Sequence, residues 1–565
     1  MRARKIYAAP LLLSAFALAA CGSGGSDDPA TEGSGQEAVA AASSQDVNAQ
    51  DRATLQQGGE LKLAVSDFGT NWNPLQIDGN NAELTKIRES ILPDRAYFTF
   101  DAKGVYTPNP AYLTSAEVTS QSPTVVHLVL NPEAVWGDGS PVDVDDWTAT
   151  WKACDGKDTA FRCASTDGYD KITKIESGAD KFDVTVTFSQ AYPDWASPLA
   201  GPLKAESVED AKTFNDGWSS LDNDWLSGPF KVEKEDKTQK TVSVVPNDKW
   251  WGDKPLLDRV TWRTISSDGW ANAFVNGELD AFEIGADPNA FALASGAADT
   301  TIRKAAGPNW RHITFNSEAG VLKDEKVRQA LVKGLDRAEI GRSDLAGIDW
   351  PVEQLNNGII LSNQQGYQDM GETTGIDFDV EGAKADLEGL GWVAGADGIR
   401  AKDGKKLEVK FSQLSGVAVS ENEALQTQSL LKEIGVKVDI VDVPIAKFQD
   451  GSVLSNHEFE IIAFSWIGTP YPFQGISQIY GTGSESNYSQ LSDPKIDENA
   501  KKLDSTTDLQ ARITLANETA KIIWENVMTL PLYQRPELTA VKTKLANYGA
   551  FGLSSVKWEN VGYEK

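Results

Sequence analysis

The stretch ALQTQSLLKEIGVKVDIVDVP, residues 424–444, decides the architecture. It reads as a helix, a stopping glycine at Gly435, and a strand from Val436 to Ile440. A strand that follows a helix after one or two residues is the unit of an α/β layer, so this half of the chain is expected to hold a mostly parallel sheet. Upstream, DVEGAKADLEGLGW (379–392) sets Val380, Ala383, Leu387 and Leu390 on one helical face, with Gly391 placed to end the helix. In DEKVRQALVKGLDR (324–337), Val327, Ala330, Leu331, Gly334 and Leu335 form a similar face.

Period-two patterns mark strands elsewhere. Leu61, Leu63 and Val65 alternate, as do Phe182, Val184, Val186 and Phe188, and again Leu407, Val409 and Phe411. The stretch from about 105 to 224 is strand and loop, rich in Trp, Asp and Gly. No repeat of fixed period is present. Two α/β lobes with a smaller insert are the expected architecture.

The amino terminus places the chain in a compartment. Arg2, Arg4 and Lys5 precede an apolar run from Ile6 to Leu18, the pattern of a secretory signal. That run falls short of the ~20 residues a membrane-spanning helix needs. Leu18-Ala19-Ala20-Cys21 resembles the lipobox of bacterial lipoproteins, which implies removal of residues 1–20 and a diacylglycerol on Cys21. Residues 21–58, mainly Gly, Ser, Ala, Gln, Asp and Glu, cannot bury enough surface to order themselves and are expected to be a disordered tether. The folded part is thus expected at the outer, periplasmic or extracytoplasmic, face of the cell membrane, touching the lipid through its anchor only.

Charge and composition exclude several functions. The 565-residue chain carries a net charge of −29, which repels nucleic acid and bare anionic lipid surfaces. Its only histidines, His127, His312 and His457, are far apart and in no metal-ligand spacing, so no metal site or cofactor is expected. There is no Gly-x-Ser-x-Gly elbow and no His-Glu-x-x-His helix, so the chain is not read as an enzyme. The other two cysteines, Cys154 and Cys163, form an even pair that reads as a disulfide in an exported protein.

Four further segments stand apart from generic globular sequence. The first, NPEAVWGDGSPVDVDDWTATW (131–151), has a tight turn after Trp136, with Asp145 and Asp146 placed to cap a helix. The second is SGPFKVEK (227–234), leading into NDKWWGDKPLLDRVTW (247–262). The third is FVNGELDAFEI (274–284), and the fourth runs from Ile313 to Ile340 and contains Val327-Arg328-Gln329-Ala330-Leu331. In this order they resemble the dipeptide and oligopeptide-binding family of extracytoplasmic solute-binding proteins that feed ABC importers. The matching positions are 136–141, 228–230, 247–255, 277–280 and 327–337.

The resemblance implies a two-lobed, hinged, periplasmic-binding-protein-like α/β fold with a third, smaller inserted domain. It places the first lobe at 59–104, 225–316 and 530–565, the insert at 105–224 and the second lobe at 317–529. It also implies a monomer that closes on a peptide ligand and delivers it to ABC transporter permease subunits with their ATPase. Such ligands bind by strand addition, with side chains in hydrated pockets. Ligand-binding residues are expected at Asn71 and Trp72, at Trp466, Tyr471 and Phe473, and at Asn487 and Tyr488. One departure stands out. The family's peptide binders carry an aspartate shortly after the tryptophan that aligns with Trp466, where it holds the peptide amino terminus; this chain reads Trp466-Ile467-Gly468-Thr469-Pro470. An ammonium buried without a counter-charge is costly, so the alternative is a non-peptide solute such as an oligosaccharide, a metal chelate or a modified peptide.

Overall fold

A computed structural model describes residues 45–449 and 451–565. The expected signal sequence, Cys21 and residues 21–44 of the expected tether lie outside the described residues.

Two long strands organise the fold. Thr300–Phe315 and Thr529–Lys542 pair antiparallel along most of their length, in the middle of a six-stranded sheet. Ala281–Glu283 lies on one side of this pair; Ile461–Trp466, Glu408–Ser415 and Lys437–Pro444 follow in that order on the other. The stretch that opened the sequence reading forms the far edge. Its helix, Ala418–Glu433, ends at Gly435 with φ of +84°, and the strand Lys437–Pro444 follows. A Cβ on Gly435 would meet the Arg400 side chain at 2.7 Å, so glycine is required there both for its φ and for space.

The expected mostly parallel sheet needs correction. Glu408–Ser415 runs parallel to both Lys437–Pro444 and Ile461–Trp466, but the joints to and between the two long strands are antiparallel. Helical crossovers make the parallel part, whereas the long strands arrive from outside the lobe and carry no such constraint.

A second sheet, ordered Glu60–Val65, Arg259–Thr264, Thr241–Pro246 and Phe230–Asp236, packs Leu61, Leu63, Phe230, Val244 and Trp262 into a separate core. A third, ordered Leu113–Gln121, Thr124–Leu130, Asp183–Phe188 and Ile172–Ser177, is wholly antiparallel. Its core holds Trp136, Trp147, Phe188 and Trp195. The turn after Trp136 has Gly139 at φ of +93°, and Trp136 Nε1 donates to Asp146 Oδ2 at 2.9 Å. The helix cap is therefore not Asp145 or Asp146. Asp143 caps Val144–Cys154, and Asp146 reaches back to the Asp143 N–H to complete a capping box. Cys163 is bonded to Cys154, with 5.8 Å between their Cα atoms.

Much of the negative charge has a local purpose. Asp143, Asp210, Asp287, Asp324, Asp336, Asp369, Asp379, Asp493 and Asp508 each accept from a first-turn N–H of the helix that follows. An aspartate there satisfies an orphan donor and faces the positive end of the helix dipole.

The expectation of a disordered tether fails for residues 45–58. Asp46 pairs with Ala550, and its carboxylate accepts from the Lys304 N–H at 3.0 Å. Val47 and Leu55 are buried, and Asp51 caps the short turn Arg52–Thr54. The segment's composition is polar, but free backbone partners on the carboxy-terminal segment and two apolar side chains are enough to seat it.

Candidate functional site

The two long strands stay paired along most of their length, and one of the two register shifts in that pairing governs the site. Ala306 pairs with Pro536 and Trp310 with Gln534, so Gly307-Pro308-Asn309 stands out of register. Gln534 bridges the gap, donating to the Gly307 carbonyl at 2.8 Å and to Asn363 Oδ1 at 3.1 Å.

Next to this interruption the second lobe presents an aromatic patch. Trp466 is the last residue of Ile461–Trp466, at the same end of the sheet as the carboxyl ends of the parallel strands Glu408–Ser415 and Lys437–Pro444. Ligands in α/β sheets characteristically bind outside these ends. The Trp466 ring lies nearly parallel to Tyr488, with 5.7 Å between centroids and 4° between planes, and to His312 at 5.9 Å and 9°. Phe464 meets all three edge-on. Trp466 and Tyr488 are half-buried, while His312 and Phe464 are buried. Burial, helped by the neighbouring Arg311 charge, holds His312 well below the ordinary histidine value, so the base of the patch is neutral.

Ile467 follows with 72% of its surface exposed. An isoleucine this open beside a half-open tryptophan is an apolar ledge, and sequence reasoning passed over it. The available signal was its position directly after Trp466 in a segment already expected to face the ligand. A polar recess of about 520 Å³, lined by residues that include His457, Ser484, Glu485 and Gln490, lies on the same lobe.

The chain then runs along the junction between lobes. Gly468 passes so close to the interruption that a Cβ would sit 2.2 Å from the Pro308 carbonyl oxygen. Gln364 donates to the Thr469 carbonyl at 3.2 Å. Pro470 abuts Gly104, and Tyr471 packs against Phe100 at 5.7 Å and Tyr106 at 6.0 Å. Phe473 lies beneath the Arg512 guanidinium, 4.6 Å from ring centroid to carbon, and is buried.

Of the seven expected ligand-binding residues, the structure brings Trp466 and Tyr488 together as a partly open surface. Tyr471 packs against Phe100 and Tyr106, and Phe473 is buried beneath Arg512. Asn71, Trp72 and Asn487 are each engaged in local structure. Asn71 donates to the Asn215 carbonyl and accepts from the Asn73 N–H. Trp72 is 2% exposed, packs against Phe68 and donates to Glu235. Asn487 donates to the carbonyls of Tyr480, Gly481 and Leu491 and accepts from Ser489 Oγ. Asn and Trp suit a wet cleft and a packed loop equally well, and composition does not separate the two.

No carboxylate replaces the missing aspartate within residues 465–474. Glu537, in the second long strand, is pushed up to about 7 by the surrounding protein, and its oxygens already accept from the N–H groups of Phe551 and Gly552. Among the described residues no group of three or more His, Cys, Asp or Glu side chains is placed to hold a metal ion.

Residues 107–488 match the family model "Bacterial extracellular solute-binding proteins, family 5 Middle". The chain belongs to that family. The oligopeptide-binding protein OppA of Mycobacterium tuberculosis H37Rv is 35% identical over 531 residues, covering 93% of this chain and 88% of the relative. The solved structure of the periplasmic EDTA-binding protein EppA superposes with a TM-score of 0.83 at 26% identity, over 92% of this chain and 98% of that one. The oligopeptide-binding protein AppA of Bacillus subtilis, in complex with a nonapeptide, gives a TM-score of 0.70 at 20% identity, over 90% and 100%. The two-lobed α/β fold is therefore that of family 5, whose members here are substrate-binding proteins.

Proposed function

We propose that this protein is the lipid-anchored substrate-binding component of an ABC importer, taking up peptides between its lobes and handing them to a membrane permease. The observation that carries this reading is the Trp466–Tyr488 pair, half open at the carboxyl ends of the second lobe's strands and beside the register break of the two long strands. A rigid aromatic surface next to the joint of the long strands suits a ligand that is gripped by closure and read loosely along its side chains. Near full-length similarity to a protein named for oligopeptide binding supports the peptide class. Anchoring at Cys21, a place on the outer face of the membrane and a monomeric state are parts of the same proposal.

A non-peptide solute is the second reading, favoured by one feature. The segment after Trp466 lacks the carboxylate expected of the family's peptide binders and opens with the exposed Ile467, and the EDTA-binding EppA is a structural neighbour. Native mass spectrometry of protein purified from its own host separates the two. Retained masses that fragment as peptides support the proposal; a retained chelate or sugar overturns it.

A further inference from the structure

Arg512 and Asp194 are 318 residues apart in sequence and form a two-pronged ion pair, with Nη1 to Oδ1 at 2.9 Å and Nη2 to Oδ2 at 2.6 Å. Their side chains are only 8% and 13% exposed. Asp194 belongs to the inserted domain. Its neighbour Trp195 is part of that domain's core, and its own carbonyl accepts from the Ser197 N–H. Arg512 belongs to the second lobe, in the first turn of the helix Leu509–Glu525. A cation in the first turn opposes the helix dipole, so the arginine does nothing for its own helix. Its reach is outward. The guanidinium covers Phe473 and grips Asp194, while next to it Tyr471 packs on Tyr106 of the inserted domain and on Phe100 just before it. Thr507 adds a hydrogen bond to Gln121 at 2.8 Å.

The segment held in this way is the one that begins at Trp466. Its inner end carries the aromatic patch and the exposed Ile467; its outer end is pinned by Arg512. Between them Gly468 presses on the Pro308 carbonyl.

We propose that Arg512 is a positioning residue for ligand capture: through Phe473 and Asp194 it fastens residues 467–473 to the inserted domain and so presets Trp466 and Ile467 in one orientation. Tyr471 and Phe473 serve this fastening and are not ligand contacts. A segment ordered in advance loses less entropy when ligand arrives. The pair is largely shielded from solvent, so breaking it exposes both charges together. The proposal rests on the solute-binding reading for its purpose but not for its first test.

That test is hydrogen exchange read by mass spectrometry on the full chain, first with no ligand added. Arg512→Asp and Asp194→Arg are each expected to speed exchange about tenfold in both 469–475 and 194–199, and the double charge swap is expected to return both segments toward the wild-type rate. Asp194→Asn removes the charge with little change of shape and tests the same point if a reversal variant fails to fold. Exchange in 469–475 that ignores these substitutions, or a swap that restores nothing, overturns the proposal. The second arm adds a mixed peptide pool. The same variants are expected to release bound peptide about tenfold faster with little change in association rate. Coupled exchange with no peptide binding by any form leaves the fastening standing and refutes the peptide reading.

Discussion

Gln534 spans the register break of the two long strands: its amide nitrogen donates to the Gly307 carbonyl at 2.8 Å, and its amide oxygen accepts from Ser362 Oγ at 2.7 Å. The joint between the lobes is thus held by a side chain where the backbone ladder is missing. A Cβ on Gly307 would lie 2.9 Å from the Arg535 carbonyl oxygen, so the strands also approach too closely there for any other residue.

Replacing Gln534 by leucine keeps the volume and removes every bond. The buried carbonyl of Gly307 and the half-buried polar ends of Ser362 and Asn363 lose a partner. Leaving such groups unsatisfied costs about 1–3 kcal/mol, and urea unfolding of Gln534→Leu is expected to show a midpoint lowered accordingly. A midpoint equal to that of wild type means the strands need no such bridge.

His312 gives the fold an acid limit. Its folded pKa is far below the ordinary value because it is buried next to Arg311. In the unfolded chain it takes up a proton below about pH 6.5, while the folded protein stays unprotonated there. The unfolded state then binds more protons, so stability is complete above that pH and falls as the solution is acidified, by about 1.4 kcal/mol per pH unit. His312→Phe removes this proton from the balance. Between pH 6.5 and 5 the variant is expected to lose stability less steeply than wild type, as read from urea midpoints; parallel slopes contradict the assignment.

Arg311 and Glu423 form the most deeply buried ion pair described, with Nε to Oε1 at 2.9 Å and a second contact from Nη2 to Oε2. Glu423 has no solvent exposure, and burial with the nearby Glu423 charge pushes the Asp344 carboxyl upward. Arg311→Met strands these acids and is expected to cost about 3–5 kcal/mol. Adding Glu423→Gln to that variant should recover a large part of the loss. A double variant no better than the single one shows that the arginine matters for packing alone.

Reduction of Cys154–Cys163 opens a short loop whose far end pairs with Gln76 of the first lobe. The chain-entropy argument gives about 2–3 kcal/mol for a loop of this length. Calorimetry with and without a thiol reductant is expected to show the corresponding fall in melting temperature, and Cys154→Ser with Cys163→Ser should match the reduced wild type.

Local rules were legible where a single residue enforces them. The helix–glycine–strand order of 424–444 could be read because Gly435 alone permits the turn, and the sharp turn after Trp136 needs Gly139 in the same way. The cysteine pair follows from number and compartment. Strand direction was not legible. The apolar run of Ile461–Trp466 is silent on which neighbour it pairs with, and the antiparallel long strands could not be told from parallel ones. The choice of Asp143 over its acidic neighbours as cap depends on where the helix first turns. At the site, the partners of Asn71 and Trp72, Asn215 and Glu235, lie well over a hundred positions away and are not legible in the sequence. Arg512 with Asp194 was invisible for the same reason: the pair exists only in the assembled body.

Small-angle X-ray scattering of the purified protein, stripped of bound material and then titrated with a pool of short peptides, measures hinged capture most directly. The account predicts a saturable decrease in radius of gyration as the lobes close about the Gly307–Gln534 joint. Scattering curves that superpose at every peptide concentration contradict it.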